Sequence, residues 1–284
     1  MSSAATLKRS LLYAPAVNAR ALEKARELPA DAVIIDLEDS IGAEAKDQAR
    51  AAAVAALRQG FPGKTTALRI NRLDTPWGAA DLKAAVQAQP DVVVLPKVSA
   101  PDVILAVTRG IGQDIKLWAM IESCQGLIRM PDIANTAKTT SLSALLVGTN
   151  DLVTEMRCHA GVDRRALVPA LSQVVITARA HGLSPLDGPY NDFNDPGGLE
   201  MQCRQAVELG FDGKSLIHPA QIEAANRAFA PSAERIAWAR EVIAVFEKWP
   251  KEAVIAINGQ MVERAMHLKE AEAIVAFALR TSQS

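Results

Sequence analysis

The feature that most constrains the fold of this chain is a regular alternation of short apolar runs with alanine-rich segments. Eight runs rich in Val, Ile and Leu recur between residues 10 and 219, and most are followed by a stretch typical of a helix. Uninterrupted apolar runs are typical of parallel strands that are buried on both faces. Eight strand-helix units in about 230 residues are the length of a (β/α)8 TIM barrel, so the sequence predicts this α/β fold. The predicted strands span residues 10–14, 32–37, 66–70, 92–96, 116–121, 143–148, 184–187 and 213–217.

An open, doubly wound sheet is the competing architecture for such an alternation. Dinucleotide-binding sheets of that kind carry a GxGxxG turn after the first strand. No such turn follows the first run of this chain, and the spacing of the eight units is even. Both observations favour the barrel.

The C-terminal segment exceeds what a barrel needs. We predict a catalytic barrel over residues 1–230 and a helical extension over residues 231–284. Within the extension we predict a helix at 233–248, a strand at 253–257, an Asn258-Gly259 turn and a last helix from about Val262. We expect it to cover the active site or to swap over that of a neighbouring subunit, which implies a homo-oligomer, a trimer or a hexamer.

Composition excludes several classes of protein. The 284 residues carry a net charge of −1, which gives no broad electrostatic basis for binding nucleic acid or a membrane surface. The three cysteines form no CxxC pair, so neither a disulfide framework nor a zinc site is expected. Without a signal-like N-terminus or an apolar run of membrane-spanning length, we expect a cytoplasmic protein.

Two carboxylates follow two successive predicted strands. Glu122 comes directly after the run 116–121, and Asp151 comes shortly after the run 143–148. The carboxyl ends of barrel strands meet at one rim, and two carboxylates with water and substrate oxygens commonly hold Mg²⁺. The alternative is that each acid stabilises the N-terminus of a helix.

Other charged residues are expected at the same rim. Arg69 interrupts an apolar strand, and its planar fork suits a substrate carboxylate or a developing enolate oxygen, although an ion pair with Asp36 is a compatible alternative. Asp36 and Glu38 could orient such cations or metal-bound water. Lys97 could form a Schiff base, but nearby acids favour a paired, protonated lysine. The remaining rim candidates are Asp39, which fits a solvated loop, Asp187, and His218, which fits a structural turn better than a general base.

Seven motifs in collinear order resemble the citrate lyase beta subunit and malyl-CoA lyase family, an aldolase superfamily. The resemblance extends from about residue 8 to about residue 265. Its motifs are Arg9-Ser10 with Pro15-Ala16, Asp36-Leu37-Glu38-Asp39-Ser40, Leu68-Arg69-Ile70-Asn71, Leu95-Pro96-Lys97, Ile121-Glu122-Ser123, Gly148 with Asp151-Leu152, and Gly210-Phe211 with Gly213-Lys214 and Ile217-His218-Pro219.

The resemblance implies site residues and a chemistry. Glu122 and Asp151 would bind Mg²⁺, and Arg69 would hold the oxo acid or its hydroxyacid precursor. Asp36, Glu38 and Lys97 would support this shell, and the segment from Arg9 to Pro15 would lie near coenzyme A. Members of the family often carry an acid/base aspartate in a Gly-x-Met-Val/Ile-Asp segment given to the neighbouring active site. Glu263 stands at that position here.

The implied activity is that of a Mg²⁺-dependent carbon-carbon lyase. Its substrate would be a 3-hydroxy-dicarboxyl- or tricarboxyl-CoA thioester of the citryl-, malyl- or citramalyl-CoA type, cleaved into an oxo acid and an acyl-CoA or formed from them. Two alternatives remain open: a class II pyruvate aldolase that uses no coenzyme A, and a non-catalytic CoA-binding paralogue. The change from aspartate to glutamate at position 263 keeps the second alternative open.

Overall fold

Eight parallel strands form a closed barrel in the first part of the chain. The computed structural model describes residues 7–281. Each strand pairs with the next in chain order, and the eighth pairs with the first, with Leu12 opposite both Val33 and Leu216. The TIM barrel prediction is thereby confirmed, and the closing pair rules out an open sheet. The strands are β1 (Ser10–Pro15), β2 (Ala32–Asp36), β3 (Thr65–Arg69), β4 (Val92–Leu95), β5 (Lys116–Ile121), β6 (Leu142–Val147), β7 (Ser184–Asp187) and β8 (Gly213–Leu216).

Helices follow the strands and cover the barrel. Their ends carry local sequence signals: Asn18 caps the first by accepting from the backbone N–H of Ala21, and Pro101 opens the fourth. The helices are α1 (Ala19–Glu27), α2 (Lys46–Gln59), α3 (Gly78–Ala88), α4 (Pro101–Ile111), α5 (Cys124–Ile128), α6 (Met130–Asn135), α7 (Thr149–Met156), α8 (Val168–Ala180), α9 (Pro196–Leu209) and α10 (Ile222–Ala228).

The barrel interior is filled by alternate residues of the strands. Ile34, Ala67, Trp118 and Leu146 belong to one buried cluster, and none is more than 1% exposed. Because successive side chains of a strand point to opposite faces, residues two positions further along point to the same interior. This parity decides which strand-end residues can face the centre of the rim.

The chain divides into two compact units between Asn226 and Arg227. The second unit contains α11 (Ala233–Lys248), β9 (Val254–Ile257), β10 (Gln260–Glu263) and α12 (Lys269–Thr281). It has its own core, built from Ala239, Val242, Phe246, Ile257, Val262 and Ala271. Across the described residues, no helix is both long and apolar enough to cross a membrane.

The last helix is present but begins later than the predicted start at about Val262. Val262 lies in β10, which pairs antiparallel with β9 opposite Ile255. A π-helical segment, Arg264–Leu268, follows β10 and leads into α12 at Lys269. The turn between the strands has positive φ at Asn258 (51°) and Gly259 (79°), the signature of a tight hairpin. The hairpin prevails because it buries Val262 to 2% exposure in the core of this unit.

Candidate active site

Most of the predicted site residues meet at the carboxyl ends of the strands. A cavity of about 370 Å³ opens there. Pro15, Asp36, Arg69, Glu122 and Asp151 all line it, although they come from five different strand-helix connections or strand ends. The remaining lining residues are Tyr13, Asp39, Ser40, Met120, Gly148, Thr149, Asn150, Pro189 and Ile217.

Arg69 lies at the end of β3 with its guanidinium held by acids. Its Nε and second terminal nitrogen donate to the two carboxylate oxygens of Asp36 at 2.6 and 2.7 Å. Its other terminal nitrogen lies 3.0 Å from Glu38 Oε2, and its guanidinium carbon lies 4.9 Å from the centre of the Tyr13 ring. The ion pair with Asp36 is therefore present, and it fixes the orientation of a cation that lines the cavity.

Asp36 also organises the acidic turn that follows β2. Its carboxylate accepts from the Ser40 hydroxyl at 2.6 Å and from the Glu38 backbone N–H at 3.0 Å. Burial by itself would raise the pKa of Asp36, but the hydrogen bonds and charge of Arg69, together with the hydrogen bonds from Ser40 and Glu38, hold that pKa below its ordinary value. Asp36 is therefore a charged anchor.

Lys97 connects the acids of the rim. Its ammonium nitrogen lies 3.2 Å from Glu38 Oε1, 3.4 Å from Asp39 Oδ1 and 3.8 Å from Asp151 Oδ2. The carboxylates around it raise the pKa of Lys97 against the opposing effect of burial. This geometry agrees with a paired, protonated lysine, because a Schiff base requires the neutral amine.

Glu122 is a buried carboxylate with an unusual pKa. Its Oε1 accepts from the Lys97 backbone N–H at 2.6 Å, and the residue is 3% exposed. Burial, followed by the negative charge of Glu38, raises the pKa of Glu122 to about 7. A Cβ at Gly148 would collide with Glu122 Oε2, so a glycine is required at the end of β6.

The two predicted metal ligands have free coordinating capacity. Asp151, in the first turn of α7, has a buried Oδ2 that accepts no hydrogen bond. In the described part of the chain, no group of three or more His, Cys, Asp or Glu side chains is arranged to hold a metal. Glu122 and Asp151 would therefore supply two ligands and leave the other positions to water and substrate oxygens, which is the arrangement typical of Mg²⁺. The donor set fits that ion.

Two predicted residues lie elsewhere. Arg9 precedes β1 at the opposite, amino-terminal end of the barrel, where it binds Asp31 through its backbone N–H, its Nε and a terminal nitrogen at 2.7–2.9 Å. The structure therefore does not bring Arg9 to the rim. Glu263 belongs to the second unit, where its side chain is exposed and its backbone N–H donates to His267 Nδ1 at 2.9 Å. Its predicted role stays a prediction.

The structure adds Tyr13 to the site. Leu11, two positions earlier, belongs to the barrel interior, and the same parity turns Tyr13 inward beneath Arg69. The Tyr13 hydroxyl lies 3.7 Å from Met120 Sδ, and burial raises its pKa, so the phenol stays neutral. Strand parity counted from the apolar residues of β1 could have identified this residue.

Lys46 and Asn71 hold the backbone of the acidic turn after β2 by hydrogen bonds. Lys46 Nζ donates to the carbonyl oxygens of Leu37 and Glu38 and to Asn71 Oδ1, all within 2.8 Å. The Asn71 side chain donates in turn to Leu37 O and to Asp81. Sequence reasoning missed Lys46 because it lies in a helix, although the polar residue Asn71 directly after a strand was a signal.

His218 behaves as a structural residue. Its Nδ1 accepts from the Ala220 backbone N–H at 3.2 Å, and its ring stacks on Phe193 with a centroid distance of 4.9 Å. Gln221 completes a capping box with it. This agrees with the structural interpretation of the His218-Pro219 turn.

Comparisons with known proteins agree with this architecture. The sequence profile of the family HpcH/HpaI aldolase/citrate lyase matches residues 9–219. The (3S)-malyl-CoA thioesterase of Cereibacter sphaeroides (strain KD131) is 42% identical over 279 residues, which cover 95% of this chain and 96% of the relative. The citrate lyase subunit beta of Escherichia coli K12 is 34% identical over 269 residues, which cover 90% of this chain and 88% of the relative.

One solved structure is similar along nearly the entire chain. The protein CitE from Mycobacterium tuberculosis, in complex with magnesium, acetoacetate and coenzyme A, superimposes with a TM-score of 0.79 at 28% sequence identity. The similarity covers 99% of this chain and 100% of that protein. Together with the profile match and the relatives above 30% identity, it identifies this chain as a member of the HpcH/HpaI aldolase/citrate lyase family.

Proposed function

We propose that this protein is a Mg²⁺-dependent lyase that cleaves or forms the carbon-carbon bond of a 3-hydroxy-dicarboxyl- or tricarboxyl-CoA thioester. The products of cleavage would be an oxo acid and an acyl-CoA. The observation that carries the proposal is a single cavity lined by a fixed cation, Arg69, and by two acids with free coordinating oxygens, Glu122 and Asp151. Relatives named for malyl-CoA and citrate lyase, and the CitE complex with magnesium and coenzyme A, support the substrate class.

The chain would recognise the hydroxyacid end of the substrate through opposite charges. Glu122 and Asp151 would hold Mg²⁺, which when bound polarises the hydroxyl and carboxylate oxygens of the substrate. Asp36 occupies one edge of the planar fork of Arg69. The other terminal nitrogen would bind the substrate carboxylate in place of its contacts with Glu38 and Asp39 at 3.0 and 3.3 Å. Tyr13, half-buried below Arg69, would exclude water from the floor of the site.

The bond that breaks joins the hydroxyl-bearing carbon to the carbon next to the thioester. The hydroxyl proton passes to a carboxylate base, the hydroxyl oxygen becomes the carbonyl of the oxo acid, and the electron pair of the broken bond passes to the thioester as an enolate. Arg69 would stabilise negative charge that develops within its reach. The enolate carbon then takes a proton, which releases the acyl-CoA.

We assign the role of this acid/base to Glu263, which takes up the hydroxyl proton and returns a proton to the enolate carbon. In this proposal the extension covers the active site of a neighbouring subunit, so that a homo-oligomer is the competent form. The resemblance of the Gly259-Gln260-Met261-Val262-Glu263 segment to the family pattern supports this role, although glutamate is one methylene longer than the usual aspartate. If the longer side chain retains the role, Glu263→Asp keeps activity and Glu263→Gln loses it.

Hydrolysis of the thioester is the second candidate, and the 42% identity to a (3S)-malyl-CoA thioesterase favours it. The two reactions release different products from the same substrate. Cleavage of the carbon-carbon bond gives an oxo acid and leaves the thioester intact, whereas hydrolysis gives the hydroxyacid and a free thiol.

The test is turnover of malyl-, citramalyl- and citryl-CoA with and without Mg²⁺, with separate assays for oxo acid and free thiol. We expect oxo acid without free thiol, only with Mg²⁺, and a loss of at least about 100-fold in Glu122→Gln and Asp151→Asn. The exposed Asp132→Asn serves as the matched control with unchanged activity. Free thiol without oxo acid would mean that the protein is a thioesterase and not a lyase. Binding of coenzyme A without either product would mean that it is a non-catalytic paralogue.

A further inference from the structure

We propose that Lys97 is an internal counter-cation: its ammonium group offsets part of the negative charge of the acidic rim until a divalent cation displaces it. This inference rests on the proposed function for the assignment of Glu122 and Asp151 to Mg²⁺. It concerns how tightly that ion is held and which group of this chain opposes it.

The position of the Lys97 ammonium group is that of a shared charge. Glu38 approaches it from the loop after β2, Asp39 from the same turn, and Asp151 from α7, at 3.2, 3.4 and 3.8 Å. The longest of these distances belongs to Asp151, whose Oδ2 is buried and accepts no hydrogen bond. The ammonium group therefore offsets the charge of a predicted metal ligand without satisfying its hydrogen-bonding capacity.

The charges of the rim explain why such a counter-cation is needed. Three of its acids, Asp36, Glu38 and Glu122, are at most 7% exposed. Arg69 makes its bidentate contact with Asp36. Close negative charges in a poorly hydrated site repel one another. Burial and then the charge of Asp39 raise the pKa of Glu38, and burial and then the charge of Glu38 raise the pKa of Glu122. The other terminal nitrogen of Arg69 reaches Glu38 and Asp39 at 3.0 and 3.3 Å, and Lys97 adds a second positive charge that relieves the repulsion among these acids.

The backbone of Lys97 is fixed, whereas its side chain can move. The residue has φ of 51°, a left-handed backbone conformation that is uncommon for residues other than glycine. Its backbone N–H donates to Glu122 Oε1 at 2.6 Å. The side chain, in contrast, is 34% exposed. The ammonium group can therefore turn towards solvent when a second positive charge arrives, while the amide keeps Glu122 in place.

The consequence is that Lys97 lowers the affinity for Mg²⁺. A divalent cation at Glu122 and Asp151 would lie among the same carboxylates as the ammonium group and would be repelled by it. Removing one unit charge at such range changes the affinity for a divalent ion on the order of tenfold. If Lys97 were only a structural residue, its loss would disorder the ligands and weaken Mg²⁺ binding instead.

The experiment is calorimetric titration of Mg²⁺ into chelator-treated protein at low ionic strength, where surface screening is small. The variants are Lys97→Gln, which removes the charge, and Lys97→Arg, which keeps it. Lys83→Gln, at an exposed lysine on α3, is the matched control for net charge. We expect Kd to fall about tenfold in Lys97→Gln and to stay near the unmodified value in Lys97→Arg and Lys83→Gln.

Thermal unfolding gives a second readout that does not depend on activity. Without Mg²⁺, Lys97→Gln should melt at a lower temperature than the unmodified protein, because its acids lack a counter-cation. Saturating Mg²⁺ should raise its melting temperature by more than that of the unmodified protein, because stabilisation by a ligand increases with affinity.

The outcomes separate this inference from the proposed function. If the unmodified protein binds Mg²⁺ and Lys97→Gln binds it equally or more weakly, the inference is wrong and the metal site stands. If the unmodified protein binds no Mg²⁺, the metal part of the proposed function fails and the inference fails with it. Tighter binding in both Lys97→Gln and Lys83→Gln would also contradict the inference, because it would reflect net charge alone.

Discussion

Two ionic clusters lie near strand ends of the same barrel, and they are built on opposite principles. At β7 and β8, Asp187 accepts from Arg164 at 2.7 Å and from Lys214 at 2.7 Å, and all three residues are at most 2% exposed. One carboxylate there is shared by two cations. At the rim, Arg69 and Lys97 are shared by a larger number of acids, and Asp151 Oδ2 accepts no hydrogen bond.

The difference separates a structural cluster from a functional one. The Asp187 cluster has more cations than anions, and Lys214 also donates to the Gly188 carbonyl at 2.6 Å, so its donors are satisfied within the protein. The rim has more anions than cations and leaves acceptor atoms over. Carboxylate oxygens that accept no hydrogen bond favour the binding of a cation. A network in which the donors and acceptors already have partners does not.

The largest effect expected from this comparison is a loss of stability at Asp187. Asp187→Asn removes the charge that holds both Arg164 and Lys214, and breaking a buried ion pair from one side costs about 3–5 kcal/mol. Urea denaturation would measure it. The control is Arg179→Gln, at the exposed pair with Asp212, where we expect less than about 1 kcal/mol. Equal losses at the two sites would contradict the distinction.

An intermediate effect is expected at Asp151, where a substitution should weaken Mg²⁺ binding and leave the free energy of unfolding nearly unchanged. In metal-free protein, Asp151→Asn should change the unfolding free energy by less than about 0.5 kcal/mol, because its Oδ2 accepts no hydrogen bond and its neighbours include like charges. The same variant should lose at least about 100-fold in Mg²⁺ affinity. A large loss of stability would place Asp151 with the structural cluster.

The smallest effect is a pH dependence that originates at Glu122. Its pKa in the folded protein is about 7, above the ordinary value of 4.5, so protons compete with Mg²⁺ as the pH falls through 7. Affinity should fall about tenfold from about pH 8 to about pH 6. Calorimetry at both values measures it, with Glu122→Gln as the variant whose residual affinity should not depend on pH. A pH-independent affinity of the unmodified protein would contradict the raised pKa of Glu122.

The sign of the linked stability follows from the same shift. A raised carboxyl pKa means that the folded protein binds a proton that the unfolded chain has released, so this contribution is lost as the pH rises through 7. Metal-free protein should therefore become less stable between about pH 4.5 and about pH 7. Mg²⁺ should remove the trend, because it replaces the proton as the partner of Glu122.

The sequence was sufficient for the barrel and for most of the rim. Eight apolar runs predicted eight parallel strands, and the strand-end positions of Asp36, Arg69 and Glu122 predicted a common cavity. These inferences succeed because parallel strands connected by helices all present their carboxyl ends on one side. The sequence predicted β9 and the turn after it, but β10 was mistaken for the start of a helix, because Val262 fits either pattern and only its burial distinguishes them.

The same strand-end rule predicted that both Asp187 and Glu122 lie at the rim. The structure places only Glu122 in the cavity. Met120 belongs to the barrel interior, so Glu122, two positions later, faces the cavity. Leu186 also belongs to that interior, so Asp187, one position later, faces outward to Lys214. The parity was present in the sequence, but it could be read only once the inward residues of each strand were known.

By itself, the sequence determined the order of the strands, the end of the barrel that carries the acids and the family to which the chain belongs, because these depend on local periodicity and on motifs. Only the tertiary structure decided which charges meet. Arg9 binds Asp31 at the far end of the barrel, and Lys97 lies between Glu38 and Asp151. Lys46 donates to the backbone of the acidic turn after β2. The energy of a charge depends on its neighbours within a few ångströms, and those neighbours are distant in sequence.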